Sequence, residues 1–316
     1  MKQPQTWPGV HSIDHFALEV PDLQAAADFY LAFGLLVERA EDHLELRAAG
    51  SAHVWARLFE GGERRLAYLA LNCSAEDYPA LALRAVACGT GAAGEAGPAA
   101  PYARGDDILG TWFRDPDGNL LHLRVGPKVT ADAATEARPA PRNGRRGVAG
   151  RKTAQKVAPS RLSHVLMFAT DVGRQIAFYS EVLGLALSDR SGDLVAFMHA
   201  RQGCDHHLVA FAKSERRGWH HSSWDVAGME EVGLGWMQMQ QAGYARGWGP
   251  GRHVLGSNYF CYIEDPWASF CEYSAGMDYV PAGVEWPAGD HAAEDSFYLW
   301  GPPPPANFTV NTEHNS

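Results

Sequence analysis

Residues 13–35, IDHFALEVPDLQAAADFYLAFGL, return later in the chain as residues 162–185, LSHVLMFATDVGRQIAFYSEVLGL. Each copy has a His in the middle of an apolar segment, then an Asp, an apolar stretch with Phe-Tyr and a closing Gly-Leu. Asp favours the start of a helix and Gly its end, so each copy predicts a strand followed by a helix. Because the copies lie about half the chain apart, the pattern indicates a duplicated domain and not a solenoid of short repeats.

The segments around these copies repeat in the same order. A second match pairs DPDG at 115–118 with DPWA at 265–268. In the first copy we predict helices at 22–33 and 76–88, and strands near 14–20, 36–40, 44–48, 53–59, 66–72, 108–114 and 120–125. In the second we predict helices at 172–183 and 229–242, strands near 163–169, 220–226, 258–264 and 269–274, and three more strands before about residue 212. The predicted fold class is α+β, with four βαβββ modules in two tandem domains and helices on one face of a curved sheet.

Composition divides the chain into two domains and a connector. Residues 128–160 are rich in Ala, Pro, Gly and basic residues and show no apolar periodicity, which predicts a linker. Its basic residues are typical of nucleic-acid or membrane contact, but without interleaved aromatics we favour a solvated connector. The predicted domains are therefore 1–127 and 161–316. The tail from residue 279 carries aromatics among its prolines, so we expect it to pack on the second domain.

The overall composition excludes several classes of protein. Apolar residues make up 46% of the 316 residues, and no run approaches the roughly 18 apolar residues of a membrane span. The start of the chain lacks the apolar segment of a secretory signal, and five cysteines without paired spacing argue against a disulfide framework. A net charge of −10 disfavours nucleic acid as a partner. We expect a cytoplasmic protein and, because sheet edges invite pairing, a homo-oligomer.

Residues 251–272, GRHVLGSNYFCYIEDPWASFCE, carry the strongest chemical signal. Glu272 lies on an apolar strand, where a carboxylate is costly unless a cation, a metal or hydrogen bonds compensate it. His164 and His221 lie on separate strand-like segments. A single His on a strand is usually an ordinary core or surface residue. Two imidazoles and a carboxylate together are the ligand set of a non-haem Fe(II) site with open positions.

The repeated modules and this segment resemble the vicinal oxygen chelate superfamily. Within it they resemble the two-domain type I extradiol (meta-cleaving) catechol dioxygenases, such as the 2,3-dihydroxybiphenyl and catechol 2,3-dioxygenases. The family signature is matched by Gly251, His253, Tyr262, Asp265, Pro266 and Glu272. The sequence departs from the signature at Cys261, where a larger apolar residue is usual, and at Ala268, where Gly or Pro is usual. Both residues are small, so we expect only local adjustments of the turn.

The resemblance implies a metal site formed by His164, His221 and Glu272. It implies Fe(II) as the metal and O2 as co-substrate, although the same ligands would suit Mn(II). Between the adjacent His220 and His221 we favour the second, because alternate residues of a strand face opposite ways and the family uses the second of two adjacent histidines.

The first copy differs at the corresponding positions. It offers His15, Tyr68 and His122, which is not the same ligand set. We therefore assign these three residues a structural role.

The resemblance also implies roles for residues beside the metal. His207 matches the acid–base histidine of the family, with His206 as the neighbour that could be confused with it. His253 matches a histidine that hydrogen-bonds the hydroxyl of the substrate. Tyr262 matches a tyrosine whose phenol bonds the substrate oxygen at the metal.

The function implied is ring cleavage beside the two hydroxyls of a catechol, including substituted or biphenyl-type catechols, to a muconic semialdehyde-type product. Such a reaction belongs to the breakdown of aromatic hydrocarbons. Two alternatives remain open on the same scaffold. One is a metal-dependent isomerase or transferase resembling glyoxalase, and the other is a non-catalytic protein that binds small molecules. Metal analysis and a catechol assay under air distinguish the three.

Overall fold

Two sheets with matching strand arrangements form the centre of the molecule in a computed structural model, which describes residues 7–88, 102–104, 109–134, 144, 147 and 150–313. The elements of the first sheet are β1 (Val10–Val20), α1 (Leu23–Phe33), β2 (Leu36–Arg39), β3 (His43–Arg47), β4 (Val54–Glu60), β5 (Arg65–Cys73), α2 (Tyr78–Ala87), β6 (Thr111–Arg114) and β7 (Leu120–Val125). Its strands are ordered β2-β3-β4-β1-β5-β7-β6.

The second sheet has nine strands in the order β14-β15-β16-β13-β8-β12-β10-β9-β18. Its elements, with those of a small β11–β17 pair, are β8 (Arg161–Ala169), α3 (Val172–Glu181), β9 (Ala186–Ser191), β10 (Val195–His199), β11 (Cys204–Asp205), β12 (Val209–Lys213), β13 (Gly218–Asp225), α4 (Met229–Gln241), β14 (Gly247–Arg252), β15 (Tyr259–Glu264), β16 (Phe270–Ala275), β17 (Tyr279–Val280) and β18 (Gly289–Asp290).

The pairing at the centre of the two sheets is the same. β1 pairs antiparallel with β5 and parallel with β4, and β5 pairs parallel with β7. In the second sheet β8 pairs antiparallel with β13 and parallel with β12, and β13 pairs parallel with β16. The predicted α+β fold class is confirmed. The domain boundaries at residues 127 and 161 stay a prediction.

The helix starts follow the local chemistry of the sequence. The Asp22 carboxylate accepts hydrogen bonds from the backbone N–H groups of Gln24 (2.7 Å) and Ala25 (3.0 Å), so it caps α1. Asp171 caps α3 in the same way, accepting from the Arg174 N–H at 2.8 Å. Gly34 ends α1 with a φ of 99°, a conformation that residues with a Cβ rarely adopt.

Some strands differ from the prediction. β14 was not predicted, because its sequence GWGPGR has the Gly and Pro content of a turn; its pairing with β15 makes it a strand. In the described part of the first half, two strands follow α2 and not three, so that module is βαββ there. Residues 89–101, 105–108, 135–143, 145–146 and 148–149, which include most of the predicted linker, lie outside the described residues.

The two sheets share one buried interface. Phe33 at the end of α1 stacks on Tyr273 of β16 with ring centroids 3.9 Å apart, and the Tyr273 hydroxyl donates to the Phe33 carbonyl at 2.7 Å. Val157, near the end of the predicted linker, is buried there, and its N–H donates to the Gln238 side chain at 2.9 Å. The last residues of the linker are therefore fixed in place and do not form a free connector.

The tail packs along the second sheet, as its aromatic content indicated. β18 extends the edge beside β9, and Phe297 and Phe308 reach the interior of the second half. Glu313 is buried and pairs with the equally buried Arg64 of the first half, with an N–O distance of 3.2 Å. In the described part of the chain, no helix combines the length and the apolar character needed to cross a membrane.

Candidate metal centre and substrate cavity

Three neighbouring strands of the second sheet carry the three residues predicted as metal ligands. His164 lies on β8, His221 on β13 and Glu272 on β16. Ser223 of β13 stands opposite both His164 and Glu272 in the strand register. His221 precedes Ser223 by two residues and shares its face, because side chains alternate along a strand. The register therefore directs all three side chains to one side of the sheet.

The three side chains meet closely. His164 Nε2 lies 3.3 Å from Glu272 Oε2, His221 Nε2 lies 3.6 Å from the same oxygen, and the two Nε2 atoms are 3.3 Å apart. All ligand atoms lie within 4.8 Å of one another. Each residue is buried, and Glu272 is 0% exposed.

One carboxylate oxygen of Glu272 accepts a hydrogen bond, and the other has no donor. Its Oε1 accepts a hydrogen bond from Asn258 Nδ2 at 3.2 Å, whereas its Oε2 has no hydrogen-bond donor. A buried carboxylate oxygen without a partner is costly, and this one faces two imidazole nitrogens. Two imidazoles and a carboxylate are the donors that divalent iron and manganese accept, so the residues fit such an ion.

His220 determines which ring nitrogen of its neighbour His221 is available to a metal ion. His220 Nε2 lies 2.7 Å from the Phe308 carbonyl and must donate to it, so a neutral His220 has an acceptor at Nδ1. His221 Nδ1 lies 2.7 Å from that atom and therefore carries a proton. Nε2 of His221 is then left unprotonated, which is the state that binds a metal ion.

His207 lies beside the ligands, and His206 points elsewhere. The rings of His207 and His164 have centroids 4.1 Å apart, and His207 lines the cavity next to them. His206 points away from the cavity and bonds Asp189, with Nε2 at 2.8 Å from Oδ2. The two adjacent histidines are therefore clearly separated in space, with His207 on the side of the ligands.

His253 and Tyr262 form a hydrogen-bonded pair beside Glu272, which stands opposite Tyr262 in the strand register. His253 Nδ1 donates to the Phe297 carbonyl, so its Nε2 accepts from the Tyr262 hydroxyl at 3.0 Å. Burial and the nearby Glu272 carboxylate raise the pKa of Tyr262 well above its usual value, which keeps the phenol protonated.

Burial also sets the charge of the histidines. Desolvation, followed by repulsion from neighbouring imidazoles, lowers the pKa of His207 and of His221 well below the usual value. Burial lowers the pKa of His220 to about 4. These groups are consequently neutral near pH 7, which suits both metal binding and proton acceptance.

A cavity of about 310 Å³ is lined by the candidate ligands His164 and His221. Its walls are mostly aromatic and aliphatic: Leu166, Phe168, Leu194, Val195, Phe197, Ala212, Trp248, Leu255, Phe297 and Phe308. Lys213 is the one lining residue with a permanently charged side chain among the described residues, and it is exposed. Such a mostly apolar cavity with a few convergent polar groups is typical of a small-molecule site.

The corresponding residues of the first half do not form such a site. His15 Nε2 bonds the Tyr68 hydroxyl at 2.8 Å, and its Nδ1 bonds the Asp14 carboxylate at 2.6 Å. His122 Nε2 bonds the Leu109 carbonyl at 2.8 Å, and Trp112 stacks on its ring.

Comparison with known proteins identifies the family of this chain. Residues 161–270 match the Glyoxalase/Bleomycin resistance protein/Dioxygenase superfamily. The chain is 53% identical over 306 residues to metapyrocatechase 2 of Cupriavidus necator, covering 96% of this chain and 93% of that protein. It belongs to the metapyrocatechase family of extradiol dioxygenases.

Solved structures share the fold of this extradiol dioxygenase at much lower identity. The Mn(II)-bound glyoxalase from Novosphingobium aromaticivorans is 22% identical, with a TM-score of 0.75, covering 98% of this chain and 95% of that one. A catechol 2,3-dioxygenase is 20% identical, with a TM-score of 0.69, covering 97% of this chain and 100% of that one. The family acts with a catalytic metal ion.

Sequence reasoning missed several residues that support the centre of this extradiol dioxygenase. Asn258 lies inside the quoted segment, but Gly-Ser-Asn has the composition of a turn, which concealed its contact with Glu272. The carbonyls of Phe297 and Phe308 orient His253 and His220, and a backbone acceptor leaves no trace in a sequence. The aromatic content of the tail was the one sequence feature that indicated its approach to the site.

Proposed function

We propose that this chain is an Fe(II)-dependent extradiol dioxygenase that opens the ring of an apolar catechol beside its two hydroxyl groups, with O2 as co-substrate. One observation carries the proposal. His164 Nε2, His221 Nε2 and Glu272 Oε2 face one another beside a cavity of about 310 Å³ that His164 and His221 line, and the carboxylate oxygen has no other partner.

The proposed metal ligands are His164, His221 and Glu272. Two imidazoles and a carboxylate would hold Fe(II) with open coordination positions, which would be available to a catechol and O2. Asn258 holds Oε1 of Glu272 and so aims Oε2 at the ligand atoms of the two histidines. Mn(II) would suit the same donors, and metal analysis decides between the two ions.

The His253–Tyr262 pair is proposed to receive the hydroxyl side of the catechol. Tyr262 stays protonated because its pKa is raised, and it lies in contact with the ring of His221, with centroids 5.1 Å apart. A phenol that keeps its proton can donate to a catecholate oxygen, which favours loss of the proton from that hydroxyl. Its present acceptor, His253 Nε2, is then available to the second polar group of the substrate.

His207 is proposed as the acid–base residue. Its Nδ1 is turned to His206, with 3.0 Å between the two Nδ1 atoms, which leaves Nε2 for the cavity that His207 lines. A buried, neutral imidazole can take a proton from a catechol hydroxyl and return it later in the reaction. The low-dielectric surroundings oppose a lasting charge on His207, so the proton is not retained.

The cavity favours catechols whose ring substituents are uncharged. Its walls are aromatic and aliphatic beyond the ligands, and Lys213, the permanently charged lining residue, points to its rim. A carboxylate on the ring would lose its hydration without a buried cation to replace it. Alkyl or aryl substituents would instead contact Phe168, Phe197 and Leu255.

The experiment combines metal analysis with a substrate screen. Protein loaded anaerobically with Fe(II) is assayed under air with catechol, 3-phenylcatechol and 4-carboxymethylcatechol, following the yellow ring-fission product. We expect turnover of the first two and weak turnover of the carboxylated catechol. Iron-loaded protein that turns over none of the three would contradict the proposed function.

Other features remain proposals. We propose a homo-oligomer in the cytoplasm, and domains at 1–127 and 161–316 joined by the segment 128–160. Sedimentation analysis tests the first of these. Limited proteolysis, with cleavage expected inside the joining segment, tests the domain boundaries.

A further inference from the structure

A chain of hydrogen bonds runs from His207 to the surface of the protein. His207 Nδ1 lies 3.0 Å from His206 Nδ1, His206 Nε2 lies 2.8 Å from Asp189 Oδ2, and Asp189 Oδ1 lies 2.7 Å from His291 Nε2. His206 and Asp189 are buried, whereas the side chain of His291 is 34% exposed. The function proposed above uses only the first of these four residues.

The Asp189 carboxylate determines which ring nitrogens of His206 and His207 carry protons. An ionised Asp can only accept, so His206 must carry its proton on Nε2 and a neutral His206 has an acceptor at Nδ1. His207 must then carry its proton on Nδ1, because two facing nitrogens need one donor. The remaining Nε2 of His207 is left with a lone pair, as a proton acceptor requires.

Asp189 accepts four hydrogen bonds, which keep its carboxylate ionised. Besides His206 and His291, it accepts from the Gly289 N–H at 2.9 Å and from Trp286 Nε1 at 3.3 Å. Although burial opposes ionisation, the hydrogen bonds from His206 and His291 hold the pKa of Asp189 low, at about 2. Three of the four donors, Trp286, Gly289 and His291, belong to the tail, whose strand β18 pairs with β9 at Asp189.

The molecule contains the same arrangement once more, at a metal ligand. His220 and His221 also face each other through Nδ1 atoms, 2.7 Å apart, and the Phe308 carbonyl takes the place of the carboxylate. In both pairs the acceptor fixes which nitrogen of the first ring carries the proton. The first ring in turn fixes which nitrogen of the second ring carries its proton. The difference is the charge of the acceptor, which is neutral behind the metal ligand and negative behind His207.

We propose that Asp189 and His206 are positioning residues that fix the proton of His207 on Nδ1, so that its Nε2 faces the substrate as an acceptor. This inference rests on the proposed function of His207. The competing explanation is that Asp189 only anchors the tail through Trp286, Gly289 and His291. The two explanations differ in what happens when His207 is absent.

Asp189→Asn is the informative variant. Each carboxylate oxygen has one partner that can only donate: the Gly289 N–H lies 2.9 Å from Oδ1, and Trp286 Nε1 lies 3.3 Å from Oδ2. The amide oxygen takes the place of Oδ1, because the closer of these two donors is there. The amide NH2 then faces His206 Nε2 and donates to it, so the proton of His206 moves to Nδ1. His207 Nδ1 must in turn accept, which puts the proton of His207 on Nε2. We expect kcat with catechol to fall by about 100-fold or more, towards the ~10⁴-fold loss known for a wrong tautomer at a catalytic histidine. KM and iron content should be unchanged.

Asp290→Asn is the matched control. It makes the same chemical change in the tail, one residue from Gly289, but Asp290 is half-exposed and pairs with Arg190 at 2.7 Å. We expect wild-type kcat and KM from it. A kcat of Asp189→Asn equal to that of Asp290→Asn would overturn the proposal.

A double-mutant cycle distinguishes positioning from anchoring. In a His207→Phe background, Asp189→Asn should cost no further activity, because it acts through a ring that is no longer there. Additive losses would contradict the inference and support a purely structural role. Should Asp189→Asn fail to fold, His206→Leu takes its place in the cycle, since it removes the acceptor for His207 Nδ1. Wild-type protein without ring-cleaving activity would overturn the proposed function, and active wild-type protein with an additive cycle would overturn this inference alone.

Discussion

The two halves of the molecule place different chemistry at corresponding positions of similar sheets. In the second half, His164, His221 and Glu272 direct three ligand atoms at one point, and Glu272 Oε2 has no hydrogen-bond donor. In the first half, the side chains at the corresponding positions form hydrogen bonds with other groups of the protein. His15 bonds Tyr68 at 2.8 Å, and His122 bonds a backbone carbonyl.

The difference shows what a metal site needs beyond the fold. Both sheets carry three polar side chains at corresponding positions of neighbouring strands, so the backbone alone does not create the site. Tyr68 occupies the position that corresponds to the proposed metal ligand His221, and its hydroxyl satisfies His15 directly. Glu272 instead leaves a buried negative oxygen that only a cation, or a proton from outside, can compensate. The carboxylate without a partner is therefore the decisive feature.

Glu272→Gln should give the largest effect. Asn258 donates to Oε1, so the amide oxygen takes that position and the amide NH2 points at the histidine nitrogens. We expect iron content and turnover to fall below detection. His122→Gln, the matched change in the first half, should retain both. Iron measured by plasma emission checks the comparison, which fails if the two variants lose iron equally.

His207→Phe separates catalysis from metal binding within the second half. The variant keeps all three ligand residues but removes the group proposed to move protons. We expect full iron content and a turnover lower by about 100-fold or more, the usual contribution of a general acid–base residue. Single-turnover kinetics with 3-phenylcatechol measures it. Rates like those of the wild type would rule out the role of His207.

Acid should destabilise the second half through its buried histidines. Burial lowers the pKa of His199 from 6.5 to about 4, so unfolding takes up a proton between these values. The corresponding stability is present above about pH 6.5 and is lost as the pH falls towards 4. Between pH 6.5 and pH 5 this amounts to about 1–2 kcal/mol.

His199→Gln removes this titration and keeps a polar partner for Ser188, whose Oγ lies 2.7 Å from His199 Nδ1. Urea unfolding of the metal-free protein at both pH values should show a smaller loss of stability in the variant. An equal loss in wild type and variant would contradict the assignment.

Tyr68→Phe should give the smallest effect. The change removes the hydroxyl that bonds His15 in the first half and leaves the second half untouched. We expect a loss of about 1 kcal/mol in the free energy of unfolding, with iron content and turnover unchanged. A loss of iron would mean that the first half takes part in metal binding.

Much of this architecture could be predicted from the sequence because it depends on local patterns. Asp22 and Asp171 mark helix starts, and the repeat of His15 and His164 marks equivalent strands. β14 could not be predicted, because its Gly-Pro sequence becomes a strand only through pairing with β15. The links through Asp189 and the carbonyl of Phe308 also depend on distant parts of the chain that meet only in three dimensions.

The most direct test is a crystal structure of the iron-loaded protein with anomalous scattering at the iron edge. The account predicts one strong peak in the second half, about 2 Å from each of His164 Nε2, His221 Nε2 and Glu272 Oε2, and none beside His15. A peak bound by other residues, or none in protein that cleaves catechol, would contradict it.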